Sequence, residues 1–130
     1  MAVTRTPITD NPASLAISHT TGQFLHFSVN AIGPVPIFAF SSSAKGTIYE
    51  AADFGPPTTL YEWDHLRNPS DIQQLETLSL LLSFFSNAQY TYKVELCDKV
   101  GTVIQTVLEI QYTGAPTDSA APESFLVVIP

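Results

Sequence analysis

From Tyr90 to Tyr112 apolar and polar residues alternate almost without interruption, and that period of two fixes the chain as β more firmly than any other feature. Tyr90, Tyr92, Val94 and Leu96 share one face, and Thr91, Lys93, Glu95 and Cys97 share the other, as a half-buried strand requires. Asp98-Lys99-Val100-Gly101 then supplies turn chemistry: an Asp whose side chain can bond the turn's own amides, and a Gly that takes positive φ without a Cβ penalty. A returning strand places Ile104, Thr106, Leu108, Ile110 and Tyr112 on one face and Val103, Gln105, Val107, Glu109 and Gln111 on the other, until Thr113-Gly114-Ala115-Pro116 stops it.

The segment before this hairpin reads two ways. Ile72, Leu75, Leu78, Leu82 and Phe85 fall at helical spacing behind a capping-box-like Ser70-Asp71-Ile72-Gln73, and leucine favours helix. Yet Leu78, Leu80, Leu82 and Phe84 also alternate, and Ser86-Asn87-Ala88-Gln89 suits a hairpin turn. The favoured reading is a strand from about Thr77 to Phe85, with at most one short helical segment near Ser70 to Leu75.

The remaining punctuation yields further short strands. Leu15 to Ser18, Phe24 to Ala31, Ile37 to Ser41, Thr47 to Glu50, Thr59 to Trp63 and Phe125 to Ile129 are separated by Gly, Pro and Ser-rich turns. In the second of these, Leu25, Phe27 and Val29 oppose Phe24, His26 and Ser28. About eight strands with turns between them predict an all-β, antiparallel β-sandwich of jelly-roll type. Residues 1 to 14 have no period and read as an extended N-terminal arm, leaving 15 to 130 as one β-sandwich domain.

Composition bears on partners. Charged residues make up only 13% against 45% apolar, which leaves few charges to coat a surface and favours self-association. Leu81, Phe85, Val103 and Val107 occupy the second face of strands whose first face is already apolar. Either the chain's own loops and arm cover them, or they meet another subunit. A net charge of −7 with five dispersed basic residues argues against nucleic acid and anionic membrane surfaces. No apolar run approaches the about 18 residues of a membrane-spanning helix. Met1 to Arg5 lacks the apolar core of a signal peptide, so the expected location is cytoplasmic, although removal of a signal would leave no trace.

The stretch from Tyr49 to Asn68 gathers the most chemistry. Tyr61 and Trp63 offer apolar ring faces for a sugar's C–H side, while Asp64, His65 and Asn68 offer partners for its hydroxyls. With five Tyr, eight Phe and one Trp in the chain, aromatics beside acids also arise as ordinary core next to solvated loop. His19, His26 and His65 show no ligand spacing such as HxH or HExxH. On its strand face, His26 reads as a surface or hydrogen-bonded residue rather than a ligand. Asp64, Asn68 and Asp71 are oxygen donors without the order of a calcium loop. The lone Cys97 has acidic neighbours, Glu95 and Asp98, which oppose thiolate formation. Neither a GxSxG nucleophile motif nor a Gly-rich phosphate loop is present. These residues predict a non-enzymatic, self-associating β-sandwich binding module without a cofactor, with carbohydrate as its small ligand. The alternatives are a structural subunit of a larger homo-oligomeric assembly and a small metal-dependent, cupin-like enzyme.

Overall fold

The computed structural model describes residues 4 to 9, 13 to 32, 40 to 44, 47 to 50, 60 to 67, 75 to 82, 88 to 114 and 123 to 130. They form ten strands: β1 (Thr4–Pro7), β2 (Ser14–Ala16), β3 (Phe24–Ile32), β4 (Phe40–Ala44), β5 (Thr47–Glu50), β6 (Leu60–His65), β7 (Leu75–Leu82), β8 (Ala88–Cys97), β9 (Val103–Gly114) and β10 (Glu123–Val128). No helix occurs among the described residues. Leu75, expected at the end of a helical segment, opens β7; Ser70 to Gln74 lie outside the described residues. The leucine run is a strand because β4 and β10 both pair with it, and this pairing outweighs leucine's helical preference.

One antiparallel sheet has the order β1-β9-β8-β3-β6, and a second has the order β2-β10-β7-β4-β5. In the second sheet β10 runs parallel to β2 and antiparallel to β7. The N-terminal extended segment lies along its own chain. Thr4 to Pro7 pair with Thr113 to Ile110 of β9, Ile8 N donates to Glu109 O at 2.8 Å, and Glu109 N donates to Thr9 Oγ1 at 2.7 Å.

One apolar cluster draws on both sheets. Leu25, Phe27 and Val29 of β3, Tyr90, Tyr92 and Val94 of β8, and Ile110 and Tyr112 of β9 join Leu15, Ile17, Phe125, Val127 and Ile129. Each fully buried large side chain contributes about 1.5–3 kcal/mol. The expected alternation holds in β3 and β8, but β9 departs from it. Val94 pairs Leu108 while Glu95 pairs Thr106, so Val107 is an extra residue in a bulge, and a second irregularity follows at Leu96/Cys97. A bulge aims two successive residues to one side. Val107 and Leu108 are therefore both buried, whereas Ile104, expected on the core face, is 52% exposed.

The β8–β9 turn is built as its residues imply. Asp98 Oδ1 accepts from Val100 N at 3.0 Å and Thr102 N at 2.9 Å, Gly101 N donates to Asp98 O at 3.0 Å, and Gly101 has φ 95°. Asp98→Ala removes both side-chain acceptor contacts from an exposed turn. Its expected effect is a loss of about 1 kcal/mol, read as a lower urea midpoint with an unchanged m-value.

Candidate functional site

Strand parity sorts the candidate residues. In β6, Trp63 sits opposite Phe27 and His65 opposite Leu25, while Asp64 sits opposite His26. Phe27 and Leu25 point into the core, so Trp63 and His65 do as well, at 8% and 3% exposure. The Trp63 indole stacks on Phe27 with ring centroids 5.1 Å apart and planes 7° apart. Trp63 and His65 thus do not join Asp64 on one ligand-facing surface, because adjacent strand residues point to opposite faces. Tyr61 pairs with Val29 through the backbone, and Asn68 lies outside the described residues.

Of the residues expected at a subunit interface, the side chains of Val103 and Val107 are described. Val107 is buried within its own chain and Val103 is 47% exposed. Leu81 pairs with Ser41 in the second sheet, and Phe85 lies outside the described residues.

Asp64 instead belongs to a polar constellation on the outer face of the first sheet. His26 of β3 spans two carboxylates of β6: Nδ1 lies 2.7 Å from Asp64 Oδ1, and Nε2 lies 3.3 Å from Glu62 Oε1. Asp64 Oδ2 is 3.6 Å from Arg67 Nη1, and the Arg67 guanidinium sits 4.0 Å from the centre of the Phe24 ring. Leu66, immediately before Arg67, is buried and has φ 65°, a conformation strained for a branched side chain. On β8, Lys93 Nζ lies 3.6 Å from Glu95 Oε2.

Two shallow depressions meet at this cluster and share His26 and Glu95. One, of about 320 Å³, is lined in part by Ser28, Asn30, Leu60, Glu62, Thr91 and Lys93. The other, of about 280 Å³, is lined in part by Phe24, Asp64, Arg67, Cys97 and Val103. Glu62 lies within the Tyr49 to Asn68 stretch that the sequence marked for ligand binding, whereas none of His26, Ser28, Asn30, Thr91, Lys93 and Glu95 stood out there as a ligand-binding residue. Their signal was the polar residue at every second position of β3, β6 and β8, which matters only once the three strands are known to be neighbours.

The His26 ring has a definite chemical preference. Partial burial pulls its pKa down, but hydrogen bonds to Asp64 and then Glu62, with the charges of both carboxylates, outweigh that and raise it above the ordinary 6.5. A raised folded-state pKa stabilises the fold fully below the unfolded value and loses that contribution as pH rises through the folded one. The expected result is an unfolding midpoint that falls as pH is raised past the ordinary histidine range. His26→Gln, followed by urea unfolding across the same pH series, removes this component of the decline.

Among the described residues both His26 ring nitrogens face carboxylates, Asp64 at Nδ1 and Glu62 at Nε2. Among the described residues no group of three or more His, Cys, Asp or Glu side chains could hold a metal ion. Burial, together with the charges of Glu95, Asp64 and Asp98, pushes the Cys97 thiol pKa up against the opposing effect of Arg67, which favours the protonated, unreactive form. The side chains that line this face include hydroxyl, amide and carboxylate groups that can form hydrogen bonds. No protein family, curated protein or solved structure matches the chain.

Proposed function

We propose that this chain is a non-enzymatic binding module on a jelly-roll-like β-sandwich, and that a carbohydrate-class ligand lies on the outer face of its first sheet. The observation that carries this reading is the 320 Å³ depression, where Ser28, Asn30, Thr91, Glu62 and Glu95 present hydroxyl, amide and carboxylate groups beside Leu60. Neighbouring strands lie about 4.8 Å apart, so these groups form a regular two-dimensional array suited to a polyhydroxylated ring, with Leu60 as its apolar contact. Strand order supports the sandwich. The series β9-β8-β3-β6 and β10-β7-β4-β5 has the neighbours of an eight-stranded jelly roll, with the chain's last two strands in the places the first two usually take.

A glycan array followed by amide-resolved NMR titration tests the reading. The expected result is a binding glycan that perturbs the amides of Ser28, Asn30 and Thr91, with Asn30→Ala weakening it about tenfold, equivalent to about 1.4 kcal/mol. Absence of binding, or perturbation confined to other regions, overturns it.

A second reading, an architectural subunit of a homo-oligomer, is favoured by the apolar end of the β8–β9 hairpin, where Val100, Val103 and Ile104 are exposed. Light scattering across a concentration series checks it. An oligomer at low micromolar concentration that Val103→Glu converts to monomer supports it, and a monomer throughout excludes it.

A further inference from the structure

We propose that His26 is a proton-operated clasp on the outer face of the first sheet: charged, it ties Glu62 and Asp64 of β6 to β3; neutral, it releases Glu62 toward the depression. Geometry carries this inference. The two carboxylates lie against opposite ring nitrogens, at 2.7 Å and 3.3 Å. A neutral imidazole has one N–H and one lone pair, whereas the imidazolium has two N–H groups. Only the charged ring donates to both carboxylates at once. On deprotonation the shorter Asp64 contact retains the N–H, and the lone pair on Nε2 then faces the Glu62 carboxylate.

The surrounding charges make Glu62 the group that moves. From β6 and the residues after it, Asp64 faces His26 and is also 3.6 Å from Arg67. From β8, Glu95 sits opposite His26 in register and is paired with Lys93 at 3.6 Å, while Cys97 lines the neighbouring depression. From β9, Glu109 lines the depression that contains Glu62. Asp64 and Glu95 each keep a cationic partner when His26 discharges. Glu62, the more exposed carboxylate of the clasp at 52%, keeps none among the described residues. Deprotonation therefore adds one net negative charge to this face and frees a carboxylate acceptor beside Ser28 and Asn30.

Its effect on a ligand rests on the proposed binding face; the clasp itself does not. The test is a histidine ¹⁵N and glutamate side-chain ¹³C NMR titration of the intact chain from about pH 5 to 9. The expected result is a His26 midpoint above 6.5, with the Glu62 carboxyl resonance shifting at that same midpoint. Glu62→Gln, which is close to isosteric, lowers the His26 midpoint by at least about 0.5 unit, and Asp64→Asn lowers it further. A His26 midpoint at or below 6.5, or one that Glu62→Gln leaves in place, overturns the clasp. In a parallel arm, glycan affinity measured on either side of the His26 midpoint differs in the wild type, and Glu62→Gln abolishes that difference. If NMR shows the clasp and no glycan binds, the clasp stands and the carbohydrate reading falls.

Discussion

Trp63→Ala lowers the unfolding free energy by about 3–5 kcal/mol, because it removes a buried indole from its stack on Phe27 and leaves a void between β6 and β3. Small domains have about 5–15 kcal/mol in total, so this one change consumes a large share of the stability. Urea unfolding followed by far-UV circular dichroism measures it without depending on the lost fluorophore. Trp63→Phe keeps a ring against Phe27 and loses less. Where Trp63→Ala remains folded, the proposed glycan binding at the outer face is expected to be unaffected, since the indole points to the other side of the sheet. A selective loss of binding at full stability would instead return Trp63 to the ligand surface.

Gly22→Ala produces the second large effect. Gly22 has φ 73°, and a Cβ added there would lie 2.9 Å from Lys99 Cβ, where the turn after β2 meets the β8–β9 hairpin. Positive φ alone costs an L-residue about 1–2 kcal/mol, and relieving the overlap requires the two turns to separate. The expected total is about 2–3 kcal/mol. Gly101→Ala is the matched comparison, because Gly101 also has positive φ but nothing lies within 4 Å of its added Cβ. Urea midpoints should fall further for Gly22→Ala than for Gly101→Ala. Equal losses would show that backbone conformation, and not the approach to Lys99, accounts for the effect.

The outer face shows why Trp63 and His65 do not share a surface with Asp64. Trp63, Asp64 and His65 are neighbours in the chain, yet only Asp64 faces outward, while the residue it meets, His26, is 38 positions away. Aromatics near acids in sequence suggested a sugar platform. Period two sends alternate members of such a group to opposite sides, and for Trp63 and His65 that side is the core.

The amino-acid sequence by itself determined the all-β class, the alternation of β3 and β8, and the hairpin turn at Asp98 to Gly101, because local sterics, turn hydrogen bonds and a period of two are properties of short segments. Alternation favoured a strand over a helix from about Thr77 to Phe85, but only tertiary structure placed Leu75–Leu82 between β4 and β10. It also decided that the Val107 bulge reverses the facing of Ile104, and that His26 of β3 closes on Glu62 and Asp64 of β6. Alternation tells which residues share a face; which face is buried, and which strand lies beside it, depends on pairing between segments far apart in the chain.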